Sequence, residues 1–218
     1  MYTFDSRIRY SETDSEGNLT LLALLNYFQD CSTFQSEDAG IGVVFMRDRK
    51  MAWVLNSWQI QPIRYPRLGE RVTIGTIPYQ FQKFIGYRNF VMMDSEGNYL
   101  AKANSVWSLI SMETGRPVIP TAEIKAGYPL EEKIPMEYAD RKILVPEGGT
   151  VLEGIPVMPH HLDTNHHVNN GQYVMIAQEF LPEGAQIVSM RAEYKKQAFL
   201  GDVFYPYLVT DGTKHIVS

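Results

Sequence analysis

The chain carries a diverged copy of its own first half, and this limits what it can fold into. At an offset of 149 residues, Asp14-Ser15 aligns on Asp163-Thr164, Asn18 on His167 and Leu19 on Val168. At an offset of 132, Leu68-Gly69-Glu70 aligns on Leu200-Gly201-Asp202. Each half therefore reads as an extended lead-in, a loop bearing an aspartate, a helix, and a strand that ends in Leu-Gly-acid. A chain with one such unit written twice is expected to build the same architecture twice. A shorter second helix, about 12 residues against about 20, accounts for much of the change in offset.

In the first half, Thr20 or Asn18 is placed to cap a helix over roughly 20–38, and Leu21, Leu24, Leu25, Phe28 and Cys31 supply its apolar stripe. Gly40 and Gly42 end it. Four stretches rich in Val, Ile, Tyr, Phe and Trp follow at 52–63, 70–82, 84–94 and 98–111, and 94–98 (Asp-Ser-Glu-Gly-Asn) reads as a hairpin turn. One helix followed by consecutive antiparallel strands predicts an α+β fold, a sheet wrapped around its helix. Prolines 117, 120, 129, 135 and 146 mark residues 113–150 as a connector, with a short helical piece near 121–126. The expected organisation is a first domain over 1–120, a linker over 121–150 and a second domain over 151–218. At the second offset Ser218 corresponds to Gly86, so the counterpart of the strand at 98–111 is missing. The second sheet is therefore expected to be truncated at its C-terminal side.

Composition narrows the class. A formal net charge of −5 does not fit a nucleic-acid footprint, which is basic. Cys31 is the only cysteine, which excludes an intrachain disulfide and speaks against a cysteine-based zinc site. The first ten residues lack the apolar core of a signal peptide, and no apolar run reaches the roughly 18 residues of a membrane span. The expected setting is cytoplasmic, with no membrane span and no cofactor.

Chemistry concentrates in residues 159–173, which hold four of the five histidines. Asp163, Asn165 and His167 occupy alternate positions, and in an extended segment they would emerge on one face. Asn169 and Asn170 then stand ready to cap a helix with Tyr173, Ile176, Ala177 and Phe180 at helical spacing. A carboxylate, an amide and an imidazole beside a helix N-terminus make an acid/base and oxyanion site. Taken singly, Asp163 reads as readily as a turn former, and His167 as a structural histidine. His160, His161 and His166 form only a superficial metal cluster, because His166 would point away from His167; no metal is expected. Asp14 stands at the repeat position of Asp163, but Asn18 replaces the imidazole, so the first loop reads as a degenerate copy.

These residues resemble a known family. The repeat, the motif Asp163-x-Asn165-x-His167-Val168-Asn169-Asn170-x-x-Tyr173, the segments Arg64-Tyr65-Pro66-x-x-Gly69-Glu70 and Ala103-Asn104-Ser105-Val106-Trp107, and Glu193-Tyr194-Lys195-Lys196 are similar to the acyl-ACP thioesterases of plants and bacteria. The resemblance runs over nearly the whole chain. It implies a tandem hotdog fold and hydrolysis of the thioester between a fatty acyl chain and acyl carrier protein. The implied catalytic set is Asp163, Asn165, His167 and Gln197. Water activated by Asp163 or His167 is one expected route, and direct attack by Asp163 to a mixed anhydride is the other. Gln197-Ala198 stand where plant members carry Glu-Cys, so no cysteine nucleophile is available and the neighbouring carboxylate is an amide, which takes no proton. Met46, Trp53 and Trp58 are expected to line an acyl tunnel in the first half, with Asn169, Asn170 and Tyr173 near the substrate in the second. Arg64, Arg67, Arg191, Lys195 and Lys196 are the candidate docking cations for an acidic carrier protein. Acyl carrier protein and a second copy of the chain, in a homodimer, are the expected partners. An acyl-CoA thioesterase of the same fold and a non-catalytic binder of acyl chains or carrier protein are the alternatives.

Overall fold

The computed structural model describes residues 1–163 and 166–218. By internal contacts the chain forms two units, one of Met1–Arg141 with Ile187–Arg191, the other of Lys142–Gln186 with Ala192–Ser218.

In the first unit, β1 (Tyr2–Arg7) leads to α1 (Leu21–Asp38) and a short α2 (Val43–Asp48), then to β2 (Met51–Pro62), β3 (Arg71–Gln82), β4 (Ile85–Met93), β5 (Tyr99–Ser111) and α3 (Ala122–Ala126). The sheet order is β1-β3-β4-β5-β2, and each neighbouring pair in it is antiparallel. Thr20 caps α1, its hydroxyl accepting the Ala23 amide at 3.2 Å. The helix turns Leu21, Leu24, Leu25, Phe28 and Cys31 inward, the stripe read from the sequence. Phe28 is fully buried against Phe90 of β4 and Trp58 of β2, with ring centroids 5.4 and 6.2 Å away. Burial raises the Cys31 thiol to about 12, so it is an inert thiol that points at the Ile74 carbonyl. The helix α2 went unread because its six residues are too few to show a period.

Residues 121–141 pack on this unit. Ile124 of α3 joins Ile41, Met46, Leu109 and Tyr128 in one apolar cluster. Farther along, the Gln59 side chain donates to the Glu137 carbonyl at 2.8 Å and accepts the Ala139 amide at 3.0 Å. Asn89, fully buried, accepts the Ile134 amide and the Tyr138 hydroxyl. Two buried amides thus hold a proline-bearing segment that has no secondary structure of its own. Residues 187–191 rejoin the unit and carry the start of a further strand, Met190–Glu193, along the β2 edge.

The second unit has β6 (Thr150–Val151), β7 (Ile155–Pro156), α4 (Asn170–Gln178), the end of β8 (Met190–Glu193), β9 (Val203–Phe204), β10 (Tyr207–Asp211) and β11 (Lys214–Val217). Its strands form a three-stranded sheet, β11-β10-β6, and a two-stranded pair, β7-β9. Val157, Val168 and Ala198 form its core with Leu162, Tyr173 and Phe204. In α4 the buried positions are Gly171, Val174 and Ile176, and Phe180 falls beyond the last helical residue, so the predicted stripe is displaced.

The repeat is visible in the backbone at both offsets. Ile8 donates to Glu70 as Val157 does to Asp202, and Leu19 donates to Pro66 as Val168 does to Ala198. Short 3-10 turns at Tyr10–Glu12 and Pro159–His161 precede the two loops, and the caps Thr20 and Asn169 follow them. Replacing Phe28 by Ala removes the ring that joins α1 to the sheet; it should cost about 3–5 kcal/mol in urea unfolding. An unchanged midpoint would show that the helix is held by something other than this contact.

Candidate active site

Asp163 and His167 stand at the two ends of a loop. Leu162 and Val168 bridge across its base, as Thr13 and Leu19 do in the first unit. The Asp163 amide donates to the His167 carbonyl at 2.8 Å, and the His166 amide to the Asp163 carbonyl at 3.0 Å. One carboxylate oxygen of Asp163 accepts the His167 amide at 3.3 Å. The Asp14–Asn18 loop has the same three bonds, at 2.8, 3.1 and 2.9 Å. So does the Asp94–Asn98 hairpin turn, at 3.0, 3.1 and 2.9 Å. In all three the aspartate oxygen holds an amide that the turn would otherwise leave without a partner.

This geometry corrects the alternating-face argument. Asp163 and His167 meet because they face each other across a turn, with His166 at a φ of 62°, and not because they alternate along a strand. Gly17 and Gly97 occupy the matching left-handed position in the other loops, at 80° and 84°. A histidine there is strained, and strain of this kind collects at functional sites. Asn165 lies outside the described residues. His167 is half-buried, and its ring packs on Phe199 with centroids 4.8 Å apart. Gln197, two residues before Phe199, is exposed. The segment that carries both is tied to the loop by Val168 N–H donating to the Ala198 carbonyl at 2.9 Å.

The helix beside the loop is held from both sides. Asn169 caps α4, its side chain accepting the Gly171 amide at 2.8 Å and its carbonyl the Gln172 amide at 2.9 Å. The Asn170 carbonyl accepts the Tyr194 hydroxyl at 3.0 Å, and the Tyr173 hydroxyl accepts the Ala198 amide at 3.0 Å. Burial raises both tyrosines above their ordinary range, so they remain neutral donors and acceptors. Asn169 and Tyr173 are thus structural, and the Asn170 amide at the start of α4 has no hydrogen-bond acceptor among the described residues.

A model of the acyl-ACP thioesterase N-terminal domain matches residues 1–128. The chain belongs to the acyl-ACP thioesterase family. It is 24% identical to a chloroplastic acyl-acyl-carrier-protein hydrolase of Cuphea viscosissima over 231 residues, covering 95% of this chain and 54% of that protein. The chain thus spans about half the length of the curated relatives it matches. Among solved structures, an acyl-ACP thioesterase from Bacteroides thetaiotaomicron superposes with a TM-score of 0.86 at 23% identity, over 95% of this chain and 86% of that one. The 12:0-ACP thioesterase of Umbellularia californica gives 0.83 at 21%, over 97% and 88%. These likenesses establish the fold, α+β with tandem hotdog units.

In this acyl-ACP thioesterase family member the expected acyl-lining residues separate. Met46 and Trp53 meet in the apolar cluster around Tyr128. Trp58 packs instead on Phe28 and Phe90 and lines a cavity of about 560 Å³ whose wall also includes Tyr79, Asn104 and Tyr138. The sequence reading did not name Phe199 and gave His161 no role beyond a dismissed metal cluster. Phe199 is reached only through the fold. His161 was legible from the repeat, since it matches Glu12 at the first offset. Glu12 accepts the Arg9 amide at 2.8 Å, and His161 accepts the Met158 amide on Nδ1 at 3.1 Å.

That bond requires a neutral ring, and burial, with His160 alongside, lowers the His161 pKa from 6.5. The unfolded chain therefore takes up the proton more readily than the folded one. The stability linked to this group is complete above pH 6.5 and is lost as pH falls toward the lowered folded value. His161→Gln, which keeps an acceptor and does not titrate, should flatten the stability–pH curve of the second unit in that window. The same slope in wild type and variant would assign the titration elsewhere.

Proposed function

We propose that the chain hydrolyses acyl-acyl carrier protein, releasing a free fatty acid for lipid biosynthesis. The observation that carries this reading is the stapled Asp163–His167 turn, which holds an imidazole against Phe199 at the start of α4. In this mechanism His167 takes the proton of an attacking water, Asn165 orients the carbonyl or the imidazole, and Gln197 holds the water by a hydrogen bond. The thiolate leaving group has a low pKa and needs little acid assistance, so stabilising the oxyanion is the larger task. The Asn170 amide and the α4 N-terminus are the donors for it, a contribution of about 3 kcal/mol per donor. Asp163 has one oxygen committed to the turn, which favours water as nucleophile over direct attack by the carboxylate.

The residues offered for carrier docking are partly engaged. Arg64 forms a two-pronged pair with Glu70 at 2.9 and 2.6 Å, Lys195 lies 3.5 Å from Glu193, and Arg191 donates to the Asp140 carbonyl. Arg67 and Lys196 are the better docking candidates. The engagement of the others keeps acyl-CoA as a second substrate reading. Among the described residues no helix is long and apolar enough to cross a membrane. The compartment we propose is the cytoplasm, supported by the buried, unpaired Cys31; the relatives named above from plants include chloroplastic enzymes.

Turnover of acyl-ACP and acyl-CoA by the purified full chain tests the reading. Faster hydrolysis of acyl-CoA would displace the carrier protein, and binding without turnover of either would make the chain a non-catalytic acyl binder. If acyl-ACP is the substrate, His167→Ala should lower kcat by about 100-fold or more with a much smaller change in binding. An unaltered kcat would remove His167 from the mechanism. Gln197→Glu should raise kcat if the amide is a handicap, and no effect would make a carboxylate there dispensable.

A further inference from the structure

The first unit contains a cavity that the hydrolytic reading leaves unused. Its volume of about 560 Å³ is that of a small-molecule site, and it lies on the sheet face turned away from α1. The face follows from strand alternation. Trp58 of β2 and Phe90 of β4 turn toward Phe28 of α1, so their neighbours Ser57, Gln59 and Asn89 turn the other way. Asn104 and Val106 of β5 pair with Gln59 and Ser57 in register and share that outer face. Residues 131–141 cross it, held down by Gln59 and Asn89, and supply the facing wall.

The lining is aromatic and polar. The Tyr79 ring lies 5.9 Å from that of Tyr87 and 6.1 Å from that of Tyr138, and Lys133 Nζ stands 4.6 Å from the centre of the Tyr138 ring. The Tyr79 hydroxyl donates to Asn104 Oδ1 at 2.9 Å. Lys133, Tyr138, Tyr79 and Asn104 thus follow one another along the cavity. Asn104 and Ser57 are both buried. Yet Asn104 Nδ2 and the Ser57 hydroxyl bond to no described residue, and neither atom is sealed from solvent, so both open on the cavity. At the exposed end, Glu131 takes the N-terminal amine, and three cations, Lys133, Arg141 and Arg191, then stand against two carboxylates, Glu132 and Asp140. Arg141 forms no hydrogen bond or ion pair with a described residue.

An alkyl chain placed here would strip water from Asn104 and Ser57 and return no hydrogen bond. A flat ring does better. It stacks on the tyrosines, an acceptor on its edge meets the Asn104 donor, and a negative group at its other end reaches the cations at the exposed end. We propose that this cavity binds a planar aromatic anion, with the ring on Tyr79 and Tyr87, an edge acceptor on Asn104 Nδ2 and the charge toward Lys133 and Arg141. Two sources carry that chemistry, a nucleoside monophosphate and a heteroaromatic carboxylate. The site lies within the first unit and stands whether or not the chain is a hydrolase.

Calorimetric titration of the full chain tests this. Nucleoside 5′-monophosphates and nicotinate are compared with their uncharged parents, the nucleosides and nicotinamide, and with ribose 5-phosphate, which has no aromatic ring. At least one aromatic anion should bind about tenfold or more tighter than both its parent and ribose 5-phosphate, as a charge-assisted hydrogen bond predicts. The series in which it does so names the source. Replacing Lys133 and Arg141 together by Gln, at two exposed side chains, should remove the advantage of the anion over its parent. Asn104→Asp keeps the acceptor for Tyr79 but puts a carboxylate oxygen where the donor was, and should weaken anion and parent alike; the double substitution covers the case in which this buried variant fails to fold. Bound ligand should also slow hydrogen exchange of the 131–141 amides, Ala139 included, because they share its cavity. Ribose 5-phosphate binding as tightly as any aromatic anion, an anion preference that survives the double substitution, or exchange in 131–141 that bound ligand leaves unchanged would each overturn the proposal.

Discussion

A carboxylate oxygen accepting the backbone amide four residues ahead is the bond from which both halves of this protein are built. It closes the Asp14 and Asp163 loops, fixes where each following helix starts, and thereby sets how the helix meets its strands. Such a bond contributes on the order of 0.5–1.5 kcal/mol to the turn. The aspartate therefore helps to hold the turn wherever it occurs, including at Asp94, where no chemistry is expected. Asp163 must be understood as a structural residue first. Whatever it contributes to the hydrolysis proposed above comes from a group already holding the His167 amide.

The same frame serves different ends in the two units. In the first, Glu12 fills the inner face of the 3-10 turn and Asn18 ends the loop. In the second, His161 takes over the hydrogen bond of Glu12, and His167 stands where Asn18 does. Exchanging a carboxylate for an imidazole keeps the acceptor but makes the turn sensitive to protonation near neutral pH. The first unit has a longer helix and larger sheet, and its interior holds Arg88 on the side chains of Gln35 and Thr76.

Much of the architecture was legible from residues alone. Thr20, the stripe from Leu21 to Cys31 and the four β-rich stretches give α1 and β2 to β5 nearly to the residue, because periodic burial leaves a periodic trace. The connector was less legible. Its prolines correctly signal the lack of long elements, but its attachment to the first unit depends on Gln59 and Asn89 bonding backbone groups about 45 to 80 positions away. No local pattern reports such a bond. In the candidate site, Asp163 and His167 were found by motif and repeat, but the reason they meet was misread, since a turn and a strand both accept those residue types.

The sequence by itself determined the duplication, the element types, the capping residues and the family, all of which follow from spacing and local backbone preference. Tertiary structure alone decided that Phe199 backs His167, that Met46 and Trp53 share a cluster apart from Trp58, and that Arg88 lies buried on the neutral side chains of Gln35 and Thr76. The reason is physical. Local rules act through neighbouring peptide groups, whereas burial and charge compensation depend on which distant side chains the fold brings within a few ångströms.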